Sequence, residues 1–294
     1  MIRYSFIIPH HNCPDLLNRC IESIPVREDI QIIVVDDNSD AGKQPSIIRE
    51  GVELYMIGPE ETRGAGHARN VGLSKAVGEW VLFADADDYY TNTLMEEIDK
   101  FRNDDIDVLY FNVERLEANT LSVLNDYEIQ KYIDNYDGSS GMTDYIKYSN
   151  NSPCNKMLRL SYVKSHSMFY EEVPNGNDVL FSLFVGSYTD KIAISNARLY
   201  VYLNNPNSIG TKRQTDDGIL CRWIHRKQHN CFNDYIGYSQ WNIPVSKVIF
   251  RFIKQAGFIR GVRLLILFKW KIITNKNLKY KWVDLINKHR VCVY

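Results

Sequence analysis

The chain has 294 residues, 45% hydrophobic and 24% charged, which fits a soluble globular protein of one large domain or two closely joined halves. Its net charge of −1 hides an asymmetry: from Pro244 onward there are twelve Lys or Arg against one acid, Asp284, so the first 243 residues carry −12. No apolar run reaches the roughly 18 residues of a membrane span, the apolar opening that Pro9 ends is too brief for a secretion signal, and no recognised nucleic-acid motif accompanies the basic tail. The six scattered cysteines contain no CxxC pair, so they read as reduced thiols of a cytosolic protein rather than a disulfide framework.

In chain order, Tyr4–Ile8 is an apolar run ending at Pro9, a buried strand. A helix follows from Asn12 and Pro14, with Leu16, Leu17, Cys20, Ile21 and Ile24 at helical spacing. Gln31–Val35 is a strand that stops at Asp36-Asp37-Asn38-Ser39-Asp40, and Glu53–Ile57 is a weaker one. Ala68–Ala76 reads as a helix closed by Gly78. Trp80–Ala84 is a strand stopping at Asp85-Ala86-Asp87-Asp88. Thr93–Phe101 is helical by pattern and Val108–Val113 is a further strand. Strand and helix alternating around continuous apolar strands predict an α/β fold with a mainly parallel sheet covered on both faces. Residues 116–152 are polar and Tyr-rich; regular patterning returns at Asn155–Lys164, Val179–Val185 and Leu199–Leu203.

In such sheets ligands sit beyond the carboxyl ends of the strands, and two strands here end in carboxylate clusters. Asp85 and Asp87 can converge on a hard cation such as Mg²⁺ or Mn²⁺, which takes oxygen ligands and keeps positions for water and phosphate; alternatively these acids only cap the next helix. Asp36-Asp37 is acceptor-only when ionised, suited to an imide N–H or ribose hydroxyls, or else forms an Asx turn with Asn38 and Ser39. Asn177-Asp178 precedes an apolar helix, as an N-cap or as a general base. Gly64, Gly66 and Arg69 fill two positions of a GxGxxG fingerprint and fail the third, without a strand entering the loop, so a nicotinamide site is not expected.

Taken together, Ser5-Phe6-Ile7-Ile8-Pro9-His10-His11-Asn12, Val34-Val35-Asp36-Asp37-Asn38-Ser39-Asp40, Gly66-His67-Ala68-Arg69-Asn70-Val71-Gly72-Leu73 and Gly78-Glu79-Trp80-Val81-Leu82-Phe83-Ala84-Asp85-Ala86-Asp87-Asp88 resemble, in order and spacing, the blocks of the family 2 glycosyltransferases. Asn155-Lys156-Met157-Leu158-Arg159 and Asn177-Asp178-Val179-Leu180-Phe181 are similar to that family's acceptor-side motifs, and the resemblance runs from about Tyr4 to Gly210. It implies a GT-A type, Rossmann-like fold, a UDP-sugar donor, Mg²⁺ or Mn²⁺, and inversion at the anomeric carbon. By position it implies that Pro9, His11 and Ala86 line the donor, Asp37 reads uracil, Asp36 supports that loop, and Arg69 lies near the nucleotide or diphosphate. Asp85 would face ribose and sugar, Asp87 would bind the metal, and Asp178 would take the acceptor proton. Two departures stand out: His11 replaces a Tyr, and Asn177 stands where a Glu often precedes the base, with Glu171 and Glu172 nearby as rival bases.

This reading divides the chain into a nucleotide-sugar half (1–115), an acceptor half (116–243) and a basic amphipathic helical tail (244–294). The expected function is sugar transfer to a glycan or lipid-linked acceptor in O-antigen or capsule synthesis, at the inner face of the cytoplasmic membrane. The alternative is a non-catalytic nucleotide-sugar-binding protein of the same fold; a nucleotidyltransferase would want a basic, Gly-rich phosphate loop, which is missing. Cys221, His225, His229 and Cys231 form a Cys-x3-His-x3-His-x-Cys string that fits ordinary packing better than a zinc finger; His225 or His229 could instead complete the catalytic metal shell. The tail either lies on an anionic membrane or closes the fold as a helix pair.

Overall fold

The computed structural model describes residues 1–47, 49–61, 64–125, 127–173, 175–204 and 215–274; Cys292 and the basic residues beyond 274 lie outside them. The chain divides into two compact units, residues 1–172 with 180–208, and residues 173–179 with 209–294.

The first unit starts with β1 (Tyr4–His10), α1 (Pro14–Glu22), β2 (Ile30–Asp37), β3 (Val52–Ile57), α2 (Ala65–Lys75) and β4 (Trp80–Phe83). β2 pairs in parallel with β3 and β1, and β1 with β4. β1 and β4 are buried along their whole length, as continuous apolar strands with both faces covered should be. α1 has Pro14 in its first turn and buries Leu17, Cys20 and Ile21; proline's fixed φ and missing N–H cost nothing there. α2 lies close to the sheet because Gly72 has no side chain: a Cβ would come 2.3 Å from Ile7 Cγ2.

The unit continues with β5 (Tyr89–Tyr90), α3 (Leu94–Phe101), β6 (Val108–Glu117), α4 (Glu128–Asp134), α5 (Ser140–Ser149), β7 (Lys156–Arg159) and α6 (Leu160–Ser165). α7 (Asn177–Ser187) and β8 (Ile192–Asn204) follow, and the sheet order is β3-β2-β1-β4-β7-β6-β8-β5. β7 runs antiparallel between β4 and β6, while β6 and β8 are parallel, so the sheet is mostly parallel, flanked by helices, as the patterning predicts. Several details differ from the sequence reading, among them longer β6 and β8 and the short β5. β2 carries Asp36 and Asp37 as its last two residues, because its ladder continues through His10–Asp36 and Asp37–Ile57. α2 begins three residues early, at Ala65. The Tyr-rich stretch holds two helices, α4 and α5, whose packing includes Tyr132 stacked on Tyr145 at 3.7 Å. Phe6 of β1, Tyr90 of β5, and Tyr200 and Tyr202 of β8 meet edge to face at 5.0–5.4 Å, the arrangement that ring quadrupoles favour.

In the second unit α8 (Asp216–Tyr235), α9 (Val245–Ala256) and α10 (Phe258–Thr274) enclose a small core of their own. Trp223 is its centre, edge-on to Phe252 and Phe268 at 5.5 Å each. Thr215 caps α8 by accepting from Gly218 N, a bond worth about 1 kcal/mol. Among the described residues no helix is long and apolar enough to cross a membrane.

Candidate active site

The carboxyl ends of β1, β2 and β4 hold two polar clusters, one around Asp36 and one around Asp85, Asp87 and Asp88. Asp36 is fully buried and accepts from Ser39 Oγ at 2.5 Å, Ser39 N at 3.0 Å and His10 Nδ1 at 2.6 Å. Cys13 N donates to His10 Nε2 at 3.2 Å; an N–H can only be received by an unprotonated ring nitrogen, which puts the ring proton on Nδ1, facing Asp36. Burial alone would raise the pKa of Asp36, but the hydrogen bonds from Ser39 and His10 outweigh it and hold the carboxyl below its ordinary value. Asp36 is therefore a fixed support for its loop.

The next carboxylate is different. Asp37 is buried, and its Oδ1 has no hydrogen-bond partner among the described residues. Leaving a buried acceptor unpaired costs on the order of 1–3 kcal/mol, so this oxygen is suited to an N–H donor brought by a ligand. Its main chain is held: His11 Nδ1 bonds Asp37 O at 2.9 Å. The two loops are also fastened together, with Asn12 Nδ2 donating to Asp40 Oδ2 at 3.1 Å and Asp40 N donating to Asn12 Oδ1 at 2.8 Å. Asn12 and Asn38 sit at φ 60° and 54°, a left-handed conformation that Asn tolerates better than most residues.

The cluster after β4 divides its labour among three aspartates. Asp88 is buried and accepts from Tyr200 Oη at 3.1 Å and Leu203 N at 2.8 Å. Tyr200 Oη also accepts from Asp85 N at 2.9 Å, so one phenol ties the turn to β8. Burial, then the charges of Asp87 and Asp85, push the Asp88 carboxyl well above its usual range. Asp85 receives Arg69 Nη2 at 2.5 Å, and Arg69 lies over the Tyr170 ring at 5.3 Å, which stacks on Phe181 at 4.0 Å. Asp87 is gripped by its carbonyl, which accepts from Arg19 Nη2 at 2.6 Å. Its carboxyl is pushed up to about 6 by burial and by Asp85. A half-buried acid destabilised by a neighbouring acid favours a cation, and oxygen donors suit Mg²⁺ or Mn²⁺. Among the described residues no three His, Cys, Asp or Glu side chains gather into a cage; a hard cation that keeps waters and binds substrate phosphates needs none. The donor set fits.

Ser39, His10, Arg19 and Tyr200 hold these carboxylate loops through contacts that sequence reasoning did not assign to them. Ser39 and His10 lie inside the quoted motifs, but nothing in sequence says that they point at Asp36. Pro9 and His10 end β1, and Ala86 is buried between Asp85 and Asp87.

Asp178 stands in the first turn of α7, where the helix N-terminus favours a negative charge. Just before it, Gly176 has φ +78°, and a Cβ there would lie 2.5 Å from His225 Nδ1. His225 thus packs on the turn that leads to Asp178. Glu172 is engaged by His67, Oε1 to Nδ1 at 2.7 Å. Cys221 and Cys231 are not in a disulfide, and the Cys/His string of α8 gathers no metal cluster among the described residues.

A family model described as Glycosyl transferase family 2 matches residues 5–166. Among curated proteins, the chain is 24% identical over 223 residues to EpsH of Bacillus subtilis (strain 168), named as a glycosyltransferase, covering 71% of this chain and 63% of that protein. It is also 24% identical over 211 residues to the poly(ribitol-phosphate) β-N-acetylglucosaminyltransferase TarS of Staphylococcus aureus (strain Mu50 / ATCC 700699), covering 69% of this chain and 35% of TarS. The chain thus spans less than two thirds of the length of these relatives. Among solved structures, S. aureus TarS 1–349 in complex with UDP-GlcNAc superposes with a TM-score of 0.62 at 18% identity, covering 91% of this chain and 80% of that one; the likeness is one of fold.

Proposed function

The chain belongs to glycosyl transferase family 2, and from that premise we propose that it moves a sugar from a UDP-sugar to an acceptor hydroxyl, with inversion at the anomeric carbon. The observation that carries the reading is the contrast between Asp36, whose hydrogen bonds are all internal, and Asp37, whose buried Oδ1 is left for a ligand, with the Asp85–Asp87 pair following β4, which β1 alone separates from β2 in the sheet.

In this reading Asp37 accepts the uracil imide N–H, with Pro9, His11 and Ala86 lining the donor. Asp85 faces the ribose and sugar, and Arg69 balances the diphosphate. Asp87 holds Mg²⁺ or Mn²⁺, which would supply charge neutralisation for the departing nucleoside diphosphate. Asp178 removes the acceptor proton, a task that typically contributes about 10²–10⁴-fold in rate. Residues 1–115 serve the donor, 116–243 the acceptor, and 244–294 a membrane. The acceptor is a glycan or lipid-linked oligosaccharide of cell-surface polysaccharide synthesis, O-antigen or capsule, handled at the cytoplasmic face of the membrane. TarS, named for N-acetylglucosaminyl transfer to poly(ribitol-phosphate), supports a polymeric acceptor.

Calorimetry with UDP, with and without Mn²⁺, tests the donor site. Wild type should bind more tightly with Mn²⁺, and Asp87→Ala should lose the difference. Absence of UDP binding under both conditions would sink the proposal. Asp178→Asn should keep UDP affinity and lose transfer by at least about 100-fold; retained turnover would remove Asp178 from the role of base.

A further inference from the structure

Among the described residues, α9 and α10 bury one apolar face and leave further large apolar side chains exposed. Val245, Val248, Ile249 and Phe252 of α9, and Leu264 and Phe268 of α10, pack around Trp223. On the outer side of α9, Lys247, Phe250, Arg251 and Lys254 follow one another at i, i+3, i+4 and i+7 and are exposed, which places them on a single helical face. On α10, Ile259, Arg263 and Ile266 do the same at i, i+4 and i+7. Phe250 is 70% exposed, Phe258 73%, Ile259 87% and Ile266 63%.

A helix that merely closes a fold turns its polar face outward. Single exposed apolar residues are ordinary, but here large ones recur on two consecutive helices, each interleaved with cations. Residues 244–274 contain seven Lys or Arg and no acid. Arg260 is taken up by Asp216 at 2.8 Å, whereas Lys247, Arg251, Lys254, Arg263 and Lys269 stand exposed.

We infer that the outer face of α9 and α10 is a bilayer-binding surface for anionic lipid. The cations lie against headgroup phosphates, and Phe250, Phe258, Ile259 and Ile266 enter the acyl boundary. Charge complementarity selects the anionic leaflet, and the aliphatic members select lipid over nucleic acid: Ile259 and Ile266 offer no stacking surface to a base but a good one to acyl chains. The inference rests on the proposed function only in placing that leaflet beside the acceptor; the binding itself does not require transfer.

The test is sedimentation of the full chain with vesicles of phosphatidylcholine, alone or mixed with phosphatidylglycerol, at low and high salt. Wild type should sediment with the mixed vesicles, less so at high salt, and not with phosphatidylcholine alone. Each cation near such a surface contributes about fivefold to partitioning, so Lys247→Glu, Arg251→Glu and Lys254→Glu together should lower it by roughly 100-fold or more. Phe250→Ala with Phe258→Ala should lower it about tenfold without changing UDP affinity, which shows that the variants remain folded. No sedimentation with either vesicle, equal sedimentation with both, or indifference to both sets of substitutions would overturn the inference. So would a stable dimer that the Phe variants dissolve, or binding to single-stranded DNA in preference to vesicles. Vesicle binding without sugar transfer would leave this surface standing and remove the transferase reading; transfer to a soluble acceptor without vesicle binding would do the reverse.

Discussion

Asp36, Asp37 and Asp87 are the same residue type in three electrostatic situations. The pKa of Asp36 is held below the ordinary carboxylate value, so its contribution to stability is present above that value and is lost as pH falls through the folded pKa. Asp36→Asn should therefore cost about 2–3 kcal/mol at neutral pH, and urea titrations should find the gap from wild type closing in acid. A gap constant with pH would mean that packing, not charge, supports the loop. Asp87 has the opposite sign. With its pKa raised to about 6, its stabilising contribution is complete only below the unfolded value and is lost as pH rises through 6. At pH 7 without cation, Asp87→Asn should be more stable than wild type, by up to about 3 kcal/mol, with the advantage fading in acid. Thermal melts with and without Mn²⁺ check this: the cation should stabilise wild type and leave the variant where it was. Such a trade, stability given up to hold a charge ready, is usual at functional sites.

At the scale of elements, the strands and their terminal carboxylates were legible because a strand covered on both faces must be apolar throughout, so its end shows wherever acids begin. The parallel core, α1 and α3 follow from the same logic. α4 and α5 were not legible. Their cores use few aliphatic residues: Ile129 and Ile133 are buried on α4, and on α5 Ile146 is buried beside Lys147, which pairs with Asp190. Stacked tyrosines and a buried lysine that reaches an exposed aspartate leave no apolar periodicity to read. The antiparallel β7 was hidden for another reason, since four residues carry no direction. Nor could spacing bring His225 to the turn before Asp178, forty-seven positions away. That contact makes a prediction. Gly176→Ala must meet both a left-handed φ, costing about 1–2 kcal/mol, and the imidazole at 2.5 Å. Turnover should fall while UDP affinity holds, in a kinetic comparison with wild type; equal losses in both would show general unfolding rather than displacement of the turn.

For the whole molecule, the boundary of the family match and the boundary of the structure disagree. The match ends at residue 166, but β8 lies beyond it and is the sheet neighbour of both β6 and β5. Asp88, which lies inside the match, takes its hydrogen bonds from Tyr200 and Leu203, which do not. A fragment ending at 166 would strand a buried carboxyl without donors, bare the long edge of β6 and leave the two residues of β5 without a ladder. It should show no cooperative thermal transition, whereas the full chain should. The matched segment is thus not self-sufficient: it borrows a strand from outside itself, and through one phenol and one amide N–H that strand also completes the hydrogen bonding of Asp88.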